Sequence, residues 1–200
     1  GERVYQIPPA AVVVDPKQPD CKYPFSGICG AVVAMKLVQA LFEVYGMGGR
    51  KALDIFLEMA AFATVGDVME LVDENRIIVK YGLQALEHSG NPGLCALTEV
   101  CELTDRHLSA YHIGFVLGPC LNATGRLDTA KRALSLLQCG TRQEALPIAT
   151  DLIHLNESRK EMTLKGVEAA QALIKEQGLD GRKVLILYLP DCHESLAGII

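Results

Sequence analysis

The chain has 200 residues, half of them hydrophobic and 22% charged, and its formal net charge is −5. This composition is typical of a globular protein and excludes a disordered chain. No apolar run is long enough to span a bilayer, and the first residues show no signal peptide. The negative charge argues mildly against nucleic-acid binding, since affinity for a phosphate backbone comes largely from Lys and Arg. Such binding would require a local basic patch or a surface outside this chain.

Cysteine usage indicates a reducing compartment. The chain has seven cysteines, an odd count, and none forms a C-x-x-C pair. The closest spacings, Cys21 to Cys29 and Cys95 to Cys101, are typical neither of zinc sites nor of disulfide-rich folds. The cysteines are therefore predicted to be reduced, mostly buried thiols of a cytoplasmic protein, without structural zinc.

The N-terminal part of the sequence predicts one strand followed by helices. The β-branched run Val12–Val14, which lies between prolines, predicts a short buried strand. The loop after it carries Lys17 and Gln18, which are either solvated or contacts near a site. Apolar residues at helical spacing then predict one helix that stops at Gly46–Gly49 and a second over Arg50–Phe62.

A carboxylate, Asp67, follows the second of these helices. From the residues alone, this carboxylate is placed to cap the next helix, which is predicted from Asp73 to about His88. His107 and His112 come later and lie five residues apart, so they do not share a helical metal-binding face. His112 is predicted to be a packed or hydrogen-bonded histidine of the core.

The stretch Gly114–Leu127 combines an apolar run, a Gly-Pro pair and a polar segment. Pro119 lacks an N–H and disfavours a helical residue before it, so the apolar segment is predicted to end at Gly118. Gly125 would then lie in a turn where the main chain can approach a ligand. Arg126 adds a planar set of donors suited to phosphate, next to Asn122. The same residues also fit a plain helix–loop–helix corner with the arginine on the surface.

The C-terminal part predicts a short helix over Asp128–Gln138 and then an unusually long helical pattern to about Gln177. This long pattern either braces two lobes or is broken in two. The apolar run Lys183–Leu189 is the clearest strand pattern of the chain. His193 follows in the loop, where α/β folds commonly bind ligands.

Several of these motifs together resemble the RecJ-type single-strand-specific exonucleases of the DHH phosphoesterase superfamily. The central one is Gly-Pro-x-Leu-Asn-Ala-x-Gly-Arg-Leu over Gly118–Leu127. Further matching segments occur in the same order along nearly the whole chain: Asp15–Phe25, Ala63–Leu71, Tyr111–Pro119, and His193 with Gly198–Ile200. The resemblance implies a mixed α/β, mostly helical fold. It divides the chain into the C-terminal part of a DHH domain (1–72), a connector and helical region (73–178) and the truncated start of a DHHA1 domain (179–200).

The resemblance also implies a function. The intact protein would be a metal-dependent exonuclease that cuts single-stranded DNA from the 5′ end during repair and recombination. Asp67 would help to hold a catalytic pair of Mn²⁺ or Mg²⁺ ions, and the substrate contacts would be Asn122, Gly125, Arg126 and His193. Two alternatives are a non-catalytic module that binds nucleic acid or protein, and a phosphoesterase of short oligonucleotides or cyclic dinucleotides.

Three departures from the family pattern limit what this chain does alone. It contains no Asp-His-His triplet, and Cys120 and Cys192 stand where the family usually has arginine and tryptophan. The chain is therefore expected to be an internal piece of the enzyme that binds no metal pair and has no nuclease activity by itself. It has no predicted membrane partner, and self-association through an exposed patch is expected.

Overall fold

A computed structural model describes residues 7–127 and 129–200, without the side chains of residues 126 and 127. These described residues form helices, short turns and loops, and they contain no β-strand. The helices are α1 (Gly30–Val44), α2 (Gly49–Gly66), α3 (Asp73–Glu87), α4 (Pro92–Val100), α5 (Ala110–His112), α6 (Gly118–Leu127), α7 (Ala130–Leu137) and α8 (Arg142–Glu176). A π-helical turn (Ile113–Leu117) precedes α6, and a 3₁₀ turn (Glu194–Leu196) lies near the end.

The chain forms two compact units. The first contains the residues up to His88 together with His107–Gly114, and the second contains Ser89–Arg106 and Phe115–Ile200. These boundaries differ from those predicted at residues 72 and 178, and the division into DHH and DHHA1 domains stays a prediction. The predicted predominance of helix is confirmed.

In the first unit, α2 packs against both α1 and α3. α2 and α3 lie close together at Gly82 of α3, where an added Cβ would be 2.2 Å from Ala61 Cβ and 2.8 Å from the Leu57 carbonyl oxygen. The absence of a side chain at this glycine therefore lets the two helices touch. The core between the helices consists of small and β-branched residues and one methionine: Ile28, Cys29, Val32, Met35, Ala60, Ala61, Ile78 and Val79.

In the second unit, the long helix α8 is the scaffold on which α4, α6 and α7 pack. Fully buried leucines from four of its elements form the interior: Leu94, Leu97, Leu117, Leu136 and Leu152. Gly93 of α4 lies against the main chain of α7, since an added Cβ would be 2.0 Å from the Leu136 carbonyl oxygen. α8 is one continuous helix of 35 residues that includes Pro147 in its second turn. Of the two alternatives that the sequence leaves open, a helix broken in two is therefore wrong.

Side chains cap the starts of two helices. Asn91 caps α4, with its side-chain oxygen accepting from the Leu94 N–H at 3.0 Å. The Thr141 side chain accepts from the Glu144 N–H at 3.3 Å, but the Glu144 carboxylate accepts from the Gly140 N–H rather than completing a capping box.

Both predicted strands are wrong. Val12–Val14 and Lys183–Leu189 are extended or irregular segments without ladder partners in the described part of the chain. The second segment keeps a period of two, since Val184, Ile186 and Tyr188 are each at least 77% exposed while the residues between them are more buried. A strand exists only through hydrogen bonds to a neighbour, so a suitable apolar pattern does not by itself produce one.

The predicted break at Gly118 and the turn around Gly125 are also wrong. The π-helical turn continues directly into α6, and Pro119 occupies the second position of that helix. Pro119 therefore lies inside a continuous helical run, where its missing N–H removes one hydrogen bond of the main-chain ladder without ending the helix. Gly125 is a helical residue without a positive φ. Asp128, the predicted start of the next helix, lies outside the described residues.

Among the described helices, none combines the length and the apolar character that crossing a membrane requires.

Candidate functional site

Asp67, the predicted metal ligand, is the residue at which α2 ends. The next two N–H groups turn back onto the helix: Val68 donates to the Val65 carbonyl at 3.0 Å and Met69 to the Thr64 carbonyl at 3.1 Å. These are the two hydrogen bonds of a Schellman motif, which requires a left-handed residue directly after the cap. Val68 supplies it, with φ of 54°.

A valine in this conformation is strained. The left-handed position after a helix usually holds glycine, and a β-branched residue there costs on the order of 1–3 kcal/mol. Val68 is 88% exposed, so burial does not offset the cost. Strained backbone conformations occur preferentially at functional sites. The strained Val68 directly follows Asp67, the carboxylate that the sequence motif singles out. Sequence reasoning missed it because nothing in the sequence signals a valine in that position.

The loop that follows Asp67 is tied down by a buried amide. Asn75 is fully buried, and its Nδ2 donates to the carbonyl of Gly27 at 2.8 Å and to the carbonyl of Glu70 at 2.9 Å. Glu70 belongs to the loop, while Gly27 precedes α1. One side chain therefore fixes the path of the chain from Asp67 into α3.

The sequence suggests two roles for Asp67, a cap of the next helix and a metal ligand, and its surroundings bear on both. The residue that caps α3 is Val72, so the prediction of Asp67 as a helix cap is wrong. The Asp67 carboxylate is exposed. In residues 7–127 and 129–200, however, no three His, Cys, Asp or Glu side chains are grouped so that they could hold a metal ion. Because a hard divalent ion takes about six ligands, the described residues do not fit a complete metal centre.

The predicted substrate-contacting residues of the central motif lie on α6 in the second unit. Asn122 and Gly125 are exposed, and an added Cβ at Gly125 would meet nothing within 4 Å. Residue 126 follows Asn122 by four positions, so both belong to the same side of the helix. The motif thus marks an open helical surface rather than a turn.

α8 contributes basic residues beside this helix. Arg159 and Lys160 are close enough to the Cys120 thiol of α6 to affect its ionisation. They place two cations near this helix, in a chain whose formal net charge is −5. Sequence reasoning missed both residues, because an Arg-Lys pair within a long polar helix is not distinctive and more than thirty positions separate it from Cys120.

His193 begins the 3₁₀ turn. Its Nδ1 accepts from the Ser195 N–H at 3.3 Å and lies 2.7 Å from the Ser195 hydroxyl. The side chain is exposed and lines a cavity together with Lys165 of α8. The turn that it caps packs against α6. The second unit thus contains three of the predicted contact positions, Asn122, Gly125 and His193, whereas Asp67 belongs to the first unit.

Two of the other histidines, His107 and His112, have structural partners. His112 accepts from the Ser109 N–H at 3.0 Å, which completes a capping box at the start of α5. This confirms that His112 is hydrogen-bonded. His107 Nδ1 lies 2.8 Å from a carboxylate oxygen of Glu87.

Proteins that match this chain are, as a class, single-stranded-DNA-specific exonucleases. The particular relatives are RecJ proteins. The RecJ of Bacillus subtilis (strain 168) is 34% identical over 181 residues, which are 90% of this chain and 22% of that protein. A crystal structure of exonuclease RecJ bound to manganese matches with a TM-score of 0.78 and 30% identity, over 98% of this chain and 48% of the other. RecJ from Thermus thermophilus in complex with Mn²⁺ matches with a TM-score of 0.72 and 29% identity, over 90% of this chain and 26% of the other.

No protein-family model matches the chain. The resemblance to RecJ-type exonucleases that the motifs indicate is confirmed by both the sequence and the fold comparisons. The chain spans less than half the length of each of these relatives.

Proposed function

We propose that this chain is part of a metal-dependent exonuclease that hydrolyses phosphodiester bonds of single-stranded DNA from the 5′ end in DNA repair and recombination. The observation that carries the proposal is the match to RecJ along at least 90% of the chain in both sequence and fold, including structures that contain manganese. The remaining length of such an enzyme would lie outside this chain.

Within the proposed enzyme, Asp67 is one ligand of a Mn²⁺ or Mg²⁺ centre. Its carboxylate is an exposed hard oxygen donor of the type that these ions prefer. The Schellman motif and the buried Asn75 hold the chain on both sides of it. Because one carboxylate is far from a full ligand set, the other ligands come from segments outside this chain, and the chain alone is proposed to bind no metal pair and to cleave no DNA.

The proposed DNA-contacting surface is the open side of α6. Asn122 offers amide donors, Gly125 leaves room for a backbone phosphate, and the next residue in the sequence, at position 126, is an arginine. Arg159 and Lys160 supply positive charge beside the helix. His193, on the turn that packs against α6, is proposed as a further contact.

The proposal includes three further points. The DHH part, the connector and the DHHA1 start keep the boundaries 1–72, 73–178 and 179–200. The compartment is the cytoplasm, where the DNA substrate and reducing conditions for free thiols are found.

The chain alone self-associates through the exposed apolar segment around Ile186, which is 91% exposed. Sedimentation velocity on this chain at several concentrations tests the self-association.

The test of activity compares the chain with a full-length protein that contains it, using manganese and labelled single-stranded DNA. The full-length protein should degrade the strand progressively from its 5′ end, and the chain alone should not. Asp67→Asn should abolish cleavage in the full-length protein. Asp54→Asn, which changes an exposed carboxylate on the same helix, should leave it unchanged. Cleavage by the chain alone at the full-length rate would show that the active site is misplaced.

Binding tests the α6 surface separately from cleavage. Arg126→Ala in the full-length protein should weaken single-strand binding more at low than at high salt, because it removes one phosphate contact. Equal affinity of variant and wild type throughout a salt titration would exclude that contact. Binding without cleavage by the wild-type full-length protein would identify a non-catalytic module instead.

A further inference from the structure

The connection between α2 and α3 has an unfavourable backbone conformation at both of its ends. Val68 follows the last residue of α2 with φ of 54°, and Asp73 begins α3 with φ of 47°. Aspartate adopts the left-handed region more readily than valine, but neither residue favours it. Such conformations persist only where the surrounding structure enforces them. Contacts with other parts of the first unit must therefore hold this connection in place.

Asn75 makes such a contact from inside α3. Its Nδ2 donates to the carbonyl of Glu70, within the connection, at 2.9 Å and to the carbonyl of Gly27, ahead of α1, at 2.8 Å. Its Oδ1 is buried and has no hydrogen-bond partner among residues 7–127 and 129–200. An unpaired buried acceptor opposes folding. The residue type is therefore explained by the two donors on one uncharged nitrogen, which among side chains only an amide supplies.

The residue before Asn75 anchors the start of α3 as well. The Tyr23 hydroxyl donates to the Glu74 carboxylate, with both oxygens at 2.7 Å, and Lys36 Nζ lies 3.2 Å from one of them. Lys36 belongs to α1, and the Lys36 and Glu74 side chains are each 30% exposed. The first turn of α3 is thus fixed relative to α1, and Asn75 fastens the connection to that fixed turn.

This arrangement bears on Asp67, which lies at the other end of the connection. Only Val68 and Met69 separate Asp67 from Glu70 in the sequence. The Schellman hydrogen bonds hold the chain directly after Asp67, and the Asn75 amide holds it at Glu70. A displacement of the Glu70 carbonyl would therefore alter the backbone at Val68 and, through it, the direction of the exposed Asp67 carboxylate.

We propose that Asn75 is a positioning residue: it holds the Glu70 carbonyl, enforces the left-handed conformation of Val68 and thereby sets the position of the Asp67 carboxylate. The inference rests on the proposed function, in which Asp67 belongs to the active site. It adds that a fully buried amide, which acts only through the main chain, controls the rate of the reaction and not only the stability of the fold.

A double-mutant cycle on this chain tests whether Asn75 enforces the strain. Val68→Gly should raise the urea midpoint of the wild type, because glycine adopts the left-handed conformation freely. In the Asn75→Ala background Val68 can relax, so Val68→Gly should raise the midpoint by less than about half as much. Asn75→Ser, which keeps one donor, provides the same comparison if the alanine variant does not fold. Equal shifts with and without the Asn75 amide would overturn the proposal, whatever the activity of the protein.

Kinetics of the full-length protein on labelled single-stranded DNA with manganese test the role in the reaction. Asn75→Ala should lower kcat by roughly tenfold or more and leave KM for DNA within about twofold, because the reacting groups are misaligned while the DNA-contacting surface is intact. Asn75→Ser should give an intermediate kcat. Gly82→Ala is the control, since it disturbs the packing of the same helix against Leu57 and Ala61 and not the connection.

The control distinguishes positioning from stability. At a temperature at which both variants are folded, Gly82→Ala should keep the wild-type kcat. Equal loss of kcat in Gly82→Ala and Asn75→Ala would indicate a purely structural role and overturn the proposal. A wild-type full-length protein that does not cleave DNA would instead refute the proposed function, and with it the role in the reaction, whereas the coupling between Val68 and Asn75 in urea would be unaffected.

Discussion

Alanine at position 82 should force α2 and α3 apart. In the native structure, the added Cβ would lie 2.2 Å from Ala61 Cβ and 2.8 Å from the Leu57 carbonyl oxygen. Carbon atoms in contact are normally about 3.5 Å or more apart, so the first distance is roughly 1.3 Å too short. Neither neighbour can rotate away, because one is a Cβ and the other is main chain. The helices themselves must therefore shift.

The size of the effect follows from two opposing terms. Overpacking costs typically about 1–3 kcal/mol, and this site belongs at the upper end because the contacted atoms are fixed. Replacing a helical glycine by alanine recovers about 1 kcal/mol. Gly82→Ala should thus destabilise the first unit by about 2 kcal/mol and lower its midpoint of thermal unfolding by roughly 8–16 °C.

Urea and thermal unfolding followed by circular dichroism measure this difference. Gly125→Ala is the matched control, because Gly125 is also helical but an added Cβ meets nothing within 4 Å. It should stabilise the second unit by about 0.5–1 kcal/mol. A Gly82→Ala variant as stable as the wild type would refute the close packing of α2 on α3. A destabilised Gly125→Ala would refute the helical backbone at that glycine.

Three further predictions concern local features. Val68→Gly should stabilise the first unit by about 1 kcal/mol in urea unfolding, since it removes the strain of a left-handed valine at a small entropic cost. Val68→Ala keeps a Cβ and should stabilise the unit less. Equal stabilisation by the two variants would contradict backbone strain at this position. Asn75→Ala should destabilise by about 2–4 kcal/mol because the carbonyls of Gly27 and Glu70 lose the donor that this buried amide supplies. Asn75→Asp should be worse at neutral pH, and wild-type stability of the aspartate variant would disprove this. Arg142 holds the pKa of Glu99 below its ordinary value of 4.5, so the pair's contribution is present above pH 4.5 and lost as the pH falls through the lowered pKa. The stability difference between wild type and Glu99→Gln should therefore shrink in acid, and a difference that grows there would contradict the pairing.

Much of the helical part of the fold could be predicted from the sequence, because helix positions and helix ends depend on residues that are close together in the chain. Single residues determine the start of α4 and the end of α1. The Asn91 side-chain oxygen and Gly46 complete these helix ends without contacts from distant parts of the chain. Apolar residues at helical spacing marked α1, α2 and α3 for the same reason. The family motifs, which are also local, were sufficient to indicate the resemblance to RecJ-type exonucleases.

Features that depend on distant partners were decided only by tertiary structure. The run around Ile186 has the pattern of a strand, but within the described residues no neighbouring strand supplies its hydrogen bonds. Gly125 has a residue type suited to a turn, yet its segment continues as a helix packed on α8. Packing also aims the buried Asn156 amide of α8 at the Cys120 sulfur of α6. The sequence alone determines what each residue can do, whereas these contacts arise from the free energy of burying whole helices against one another, which no local pattern contains.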